Sequence, residues 1–145
     1  MKGIKYWLLW IAVIPFSILA GLIVDFPLHW ILFRTLSSGN SPFITPYPEL
    51  PEKILGPFFR AFIIVWISSQ IVPEHKFKTA MLFATIWIFV AGASFAIGYY
   101  GVKIDNTRLS LTTGGLPVLT GVIGAVVGLY IVKRNLDYQV EIIQK

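Results

Sequence analysis

The feature that most constrains this chain is an apolar segment near its start, YWLLWIAVIPFSILAGLIV, which has no charged side chain between residues 6 and 24. A helix of that length covers nearly the ~30 Å of a bilayer's hydrocarbon core. A secretory signal is the rival interpretation, because Lys2 and Lys5 form a basic start. Signal cores are usually about 7–15 residues long and end at an A-x-A site, which this segment lacks. We therefore predict a transmembrane helix, kinked at Pro15.

Composition supports a membrane protein. The chain of 145 residues is 56% hydrophobic and only 13% charged, whereas soluble domains have about 25% charged residues. It contains no cysteine, which excludes disulfides, thiolate nucleophiles and Cys-ligated metal sites. The net charge of +5 is spread along the chain beside apolar segments, a pattern that favours contact with lipid headgroups over nucleic acid.

Three further apolar segments are long enough to span. The second ends before Pro73 and begins at Pro51, a residue type tolerated in the first turn of a helix. The third segment ends in a tyrosine pair of the kind found at headgroup level. In the fourth segment, Lys133 directly follows the last apolar residue, Val132. The four predicted spans are residues 6–24, 52–72, 79–100 and 115–133.

The remaining segments complete the predicted fold. Residues 26–36 are apolar but too short to span, which predicts an interfacial helix. The Pro-rich stretch SPFITPYPELPEK predicts an extended outer arm, because four prolines cannot sustain a helix or a central strand. The tail, 134–145, has apolar residues at helical spacing and should continue the last helix. We predict an all-α integral membrane protein with a single four-helix transmembrane domain over residues 1–145.

Charges in the connecting segments predict the orientation. An even number of spans places both termini on one side of the membrane. The charged residues in the loops and ends on the side of the termini give a net charge of +4, and those on the other side give a net charge of +1. Because basic residues accumulate in cytoplasmic loops, we expect both termini to be cytoplasmic, in a cytoplasmic (inner) membrane.

Arg60 lies inside the second span and has two interpretations. It should be about 10 Å below the outer surface, where its side chain can extend to the headgroups. The first interpretation is a structural arginine paired with one of three outer carboxylates, Asp25, Glu49 or Glu52. The second is a binding site for an anion or a lipid headgroup, since a charge inside a membrane often marks a functional site.

Two groups of small or polar residues suggest contacts between helices. In the fourth span Thr120, Gly124 and Gly128 recur at four-residue spacing beside Gly121, which is typical of closely packed membrane helices. The third span offers Gly92 and Ala96 as their counterpart, so we expect these two spans to pack together, with an intermolecular contact as the alternative. In the second span a polar patch suggests either hydrogen bonds between helices or a pore lining. It consists of Ser68, Ser69 and Gln70.

Groups for catalysis or cofactor binding are sparse. The two histidines, His29 and His75, fall on opposite sides of the predicted bilayer and cannot share a metal or a haem. All seven acidic residues lie in loops or in the tail, and no GxSxG, HExxH or phosphate-loop motif occurs. We therefore expect neither a cofactor nor enzymatic activity.

The leading functional hypothesis is a non-catalytic membrane subunit that packs against and stabilises a larger membrane protein complex. Its expected partners are other integral membrane proteins or copies of itself, together with membrane lipids. The alternative is a small homo-oligomeric channel or transporter for an ion or a small anionic solute, built around Arg60 and the polar patch.

Overall fold

The computed structural model describes residues 3–36, 49–102 and 111–143, and these residues form four α-helices. Each helix contains a segment long and apolar enough to cross a bilayer, which confirms the predicted all-α membrane fold with four spans. The helices are α1 (Ile4–Leu36), α2 (Glu49–Ile71), α3 (Lys76–Val102) and α4 (Leu111–Ile143). The candidate spans within them are Ile4–Leu32, Pro51–Ile71, Lys76–Tyr100 and Gly114–Ile142.

Helix α1 differs from the prediction. Residues 26–36 are helical, but they continue α1 without a break instead of forming a separate interfacial helix. Asp25, directly before the predicted interfacial helix, lies inside α1 and pairs with a side chain of α2. Pro27 also lies inside α1. A proline removes one backbone hydrogen bond, and membrane helices tolerate this loss where neighbouring groups satisfy the freed carbonyl.

The other helix ends agree with the sequence more closely. Pro51 lies in the first turn of α2, and α4 continues through the predicted tail as far as Ile143. A short turn joins α2 to α3, and His75 in this turn has a positive φ of 57°. The carbonyl of His75 accepts a hydrogen bond from the amide of Thr79 at 3.0 Å. Most of the predicted Pro-rich arm, residues 41–48, lies outside the described residues.

Helix α2 is the centre of the structure. Its backbone closely approaches those of α1, α3 and α4, and α3 also packs on α4. Among the described residues, the backbone of α1 closely approaches α2 alone. The core forms two clusters, and α2 contributes to both: Ala61 and Val65 to the cluster with α3 and α4, and Ile64 to the cluster with α1, α3 and Val72, which directly follows α2.

The outward surfaces of the helices are strongly apolar. Phe26 on α1 and Phe89 on α3 are 78% and 75% exposed, and many other large apolar residues are exposed as well. Such surfaces fit contact with lipid tails. We call the end of the bundle that holds Asp25 and the start of α2 the distal end, and the end that holds the α2–α3 turn and Lys133 the terminal end.

Candidate binding site at the distal end

Two polar contacts join α1 and α2 at the distal end. Arg60 Nη2 donates a hydrogen bond to Asp25 Oδ2 in an ion pair. One turn further along α1, His29 Nδ1 lies 3.3 Å from Glu52 Oε1. Asp25 precedes His29 along α1, whereas their partners occur in the reverse order along α2, as antiparallel packing requires. Arg60 therefore has one of the three carboxylate partners expected from the sequence, and it joins α2 to α1.

A small-residue face on α1 allows this close approach. Val13 and Ser17 are almost completely buried, and Gly21 is buried one turn later, so that a row at four-residue spacing leads to Asp25 and His29. A Cβ added to Gly21 would lie 2.7 Å from Ile64 Cγ1. This row was not among the predicted packing faces, although Ser17 and Gly21 form a small-xxx-small pattern that indicates it.

A cavity opens beside the Asp25–Arg60 pair. Its volume is about 500 Å³, within the range of about 300–1,000 Å³ that is usual for small-ligand sites. Its lining combines two carboxylates with two cationic side chains. The lining residues are Asp25 and Leu28 of α1, Glu52, Lys53, Gly56, Pro57 and Arg60 of α2, and Pro117 of α4. Three helices thus enclose a polar cavity in an otherwise apolar bundle.

The ion pair at this cavity does not use all of its hydrogen-bonding groups. Asp25 Oδ1 and Arg60 Nε are buried and have no hydrogen-bond partner among the described residues. The two side chains are 29% and 38% exposed, so part of each charged group remains accessible. The pair therefore lacks one hydrogen-bond donor and one acceptor.

The glycines of α4 contact a different helix from the expected one. A Cβ on Gly124 would lie 2.2 Å from the carbonyl oxygen of Phe58, and one on Gly128 would lie 3.2 Å from that of Phe62, both in α2. Gly121 lies between α2 and α3, because its Cβ would approach Trp87 Nε1 at 3.2 Å. Close packing of α4 is thus mainly against α2, whereas α3 was the expected partner.

The other residues predicted for helix packing are Thr120 on α4 and Gly92 and Ala96 on α3. Thr120 Oγ1 donates to the carbonyls of its own helix, at Leu116 and Pro117. Gly92 and Ala96 are exposed on α3, and a Cβ on Gly92 would meet nothing within 4 Å. Contact of these α3 residues with another chain stays a prediction.

The polar patch on α2 lies at the terminal end. Ser68 and Ser69 are fully buried, and their hydroxyls donate to the carbonyls of Val65 and Trp66 in the same helix. Gln70 Nε2 donates to Ser69 Oγ at 3.3 Å. Hydroxyls that are buried and bonded to their own helix favour a packing role over a pore lining.

Metal-binding groups are not clustered in the described part of the chain, where no group of three or more His, Asp or Glu side chains has suitable geometry. His29 lies at the distal end and His75 in the turn at the terminal end. The two histidines are therefore at opposite ends of the bundle, as the sequence predicts.

The fold and the distal site together define a polytopic α-helical membrane protein with a charged cavity at one end of the helix bundle. Comparisons of the chain with protein-family models, with curated proteins and with solved structures found no match.

Proposed function

We propose that this chain is a non-catalytic integral membrane subunit that packs against and stabilises a larger membrane protein complex. The observation that supports it best is the tail of α4. This helix continues past Lys133 and Arg134, the basic pair at which the sequence predicts the end of the span, and it carries exposed apolar side chains there. Tyr138, Val140 and Ile142 are 65%, 55% and 58% exposed.

The position of these side chains distinguishes a protein partner from lipid. Ile142 is eight residues beyond Arg134, roughly 12 Å by helical rise. The headgroup layer on one side of a bilayer is only about 5–7 Å thick. Exposed apolar residues beyond that layer cannot be covered by lipid tails. Tyr138 and Ile142 are four residues apart and share one face of the helix, whereas Val140 lies on the opposite face. Apolar side chains that share an exposed face favour a protein contact.

A groove beside the tail supports the same interpretation. It has a volume of about 160 Å³ and lies between the end of α2, the start of α3 and the tail of α4. Its lining mixes polar groups of Gln70 and Gln139 with the apolar Leu136 and the ring of Tyr138. A partner helix that docks on the tail can insert a side chain into this groove.

The test is to extract the full chain from its native membrane in a mild detergent and to measure the mass and composition of the particle. We expect other polypeptides in a fixed ratio to this chain. The double variant Tyr138→Ser/Ile142→Ser should weaken their association at least about tenfold, because buried apolar contacts at an interface are often worth more than 1 kcal/mol each. The matched control is Asp137→Asn, which alters the polar face of the same tail.

Two outcomes would contradict the proposal. A monomer that carries no other polypeptide excludes a stable subunit. A homo-oligomer whose stability is unaffected by the tail variant favours the small channel or transporter, and conductance or solute exchange in liposomes then becomes the relevant assay.

A further inference from the structure

The distal cavity has a balanced set of charges. Asp25 and Glu52 contribute two negative charges, and Lys53 and Arg60 contribute two positive charges, so the lining is neutral overall. A lining whose charges balance is poorly matched to a simple anion. It is complementary to a ligand that is itself neutral and carries both signs of charge.

The depth of the cavity matches the layer in which lipid headgroups lie. Lys53 belongs to the first turns of α2, and Arg60 follows seven residues later. The charged groups thus extend over roughly 10 Å along the helix. The cavity therefore reaches from the headgroup level into the edge of the hydrocarbon core, where a phosphate and the atoms next to it would be located.

The exposed parts of the ion pair indicate which groups the ligand should provide. Arg60 Nε and Asp25 Oδ1 are themselves buried, but 38% of the Arg60 side chain and 29% of the Asp25 side chain are exposed, and both residues line the cavity. A phosphate provides acceptor oxygens that suit the forked geometry of a guanidinium. A primary ammonium group provides N–H donors for a carboxylate. A ligand with both groups satisfies both requirements.

The lining also discriminates between amines. Proteins recognise quaternary ammonium groups such as choline mainly through aromatic rings. None of the described residues that line this cavity is aromatic, and its carboxylates can accept hydrogen bonds. A primary amine can donate such bonds, whereas choline has no N–H group.

We propose that the distal cavity binds a phosphate ester that carries a primary amine, either as the headgroup of phosphatidylethanolamine or as free phosphoethanolamine. The phosphate lies against Arg60 and Lys53, and the ammonium group lies against Asp25 and Glu52. This assignment specifies the ligand of the anion or lipid-headgroup site suggested for Arg60 by the sequence.

The binding experiment uses the full chain in detergent and in nanodiscs. Native mass spectrometry and thermal unfolding measure the retention and the stabilising effect of phosphatidylethanolamine, phosphatidylcholine and phosphatidylglycerol. Free phosphoethanolamine and inorganic phosphate are titrated in parallel. We expect phosphatidylethanolamine to bind at least about tenfold more tightly than the other two lipids, since one hydrogen bond to a charged group is worth about 1.5–3 kcal/mol.

Free phosphoethanolamine distinguishes the two sources of the headgroup. Binding of the free compound as well as the lipid shows that the headgroup is sufficient, and binding of the lipid alone shows that its acyl chains contribute. Either result supports the proposal. Equal binding of all three lipids, or binding of inorganic phosphate as tightly as phosphoethanolamine, overturns it.

Gly56→Leu tests the location of the site. Gly56 lines the cavity, and a Cβ there would meet nothing within 4 Å, so a leucine side chain can fill the cavity without disturbing the helices. Gly92→Leu is the matched control, because Gly92 is equally free of neighbours but lies on α3 away from the cavity. We expect binding to weaken at least about tenfold in Gly56→Leu and to stay unchanged in Gly92→Leu. Unchanged binding in Gly56→Leu places the ligand elsewhere and overturns the proposal.

Glu52→Gln gives a second test that does not depend on filling the cavity. It removes one negative charge and leaves the lining at +1. We expect the preference to shift from phosphatidylethanolamine towards the anionic phosphatidylglycerol by about tenfold or more. An unchanged order of lipid affinities contradicts the proposed position of the ammonium group.

Discussion

Replacement of Gly124 by alanine should destabilise the protein, although alanine normally favours a helix over glycine by about 1 kcal/mol. The new Cβ would lie only 2.2 Å from the carbonyl oxygen of Phe58, whereas comfortable contacts of carbon atoms begin near about 3.5 Å. Helices α2 and α4 must therefore separate by roughly 1 Å. Overpacking of this kind costs about 1–3 kcal/mol. We expect a net loss of about 1 kcal/mol in the free energy of unfolding.

Two other glycines provide controls for the same substitution. A Cβ on Gly92 would meet nothing within 4 Å, so Gly92→Ala should stabilise the protein by up to about 1 kcal/mol. A Cβ on Gly21 would meet flexible side-chain atoms of Ile64 and Arg60, which can move, so Gly21→Ala should have a smaller effect than either. The expected order of stability is Gly92→Ala, then Gly21→Ala, then Gly124→Ala.

The assay is reversible unfolding in mixed micelles, followed by the loss of helical circular dichroism as the denaturing detergent increases. Each variant is compared with the wild-type chain in the same lipid and detergent mixture. A Gly124→Ala protein as stable as Gly92→Ala would refute the reasoning, because it would mean that the backbones of α2 and α4 do not lie in direct contact.

Three further predictions concern the ion pair, the turn and the orientation. Arg60→Gln leaves Asp25 without its partner. Because the pair is about one-third exposed, we expect the free energy of unfolding to fall by about 1–2 kcal/mol. The double variant with Asp25→Asn should recover part of this loss, and strict additivity of the two changes in the same unfolding assay would exclude coupling between the two side chains. His75→Gly should stabilise by about 1 kcal/mol, because glycine adopts a positive φ without steric cost, whereas His75→Val should lower the midpoint of thermal unfolding. A tag at either terminus should react with an impermeant reagent only after the cells are opened, and labelling of intact cells would reverse the orientation.

The sequence predicts the number and the type of helices well because each span is a local property. Long apolar segments, the first-turn proline of α2 and the apolar spacing in the tail all act within one helix, and the structure agrees with each of them. The break expected near Asp25 is wrong for a non-local reason. A residue that caps a helix in isolation is used here to pair with Arg60, 35 positions along the chain.

Which helix each face contacts is not a local property. The glycines of α4 were assigned to α3 because Gly92 and Ala96 gave the third span a matching set of small residues, but the structure places Gly124 and Gly128 against α2. A small-residue face identifies a surface that can be approached closely, and it does not specify the partner. The charged cavity could not be predicted from the sequence either, because its lining comes from α1, α2 and α4. Of its charged residues, only Arg60 was recognisable as a charge within an apolar span.

The close approach of α1 to α2 links the proposed ligand to the stability of the bundle. Asp25 on α1 and Arg60 on α2 both line the cavity, so a bound headgroup bridges the two helices. A ligand present at 100 times its dissociation constant stabilises the folded state by about 2.7 kcal/mol, more than the expected loss from Arg60→Gln. Gly21→Leu should remove this stabilisation, because its side chain would collide with Ile64 and Arg60 and separate α1 from α2 near the cavity. Phosphatidylethanolamine should therefore raise the unfolding midpoint of the wild-type chain and of Gly92→Leu, but not that of Gly21→Leu; an equal rise in all three would show that the lipid stabilises the bundle without bridging α1 and α2.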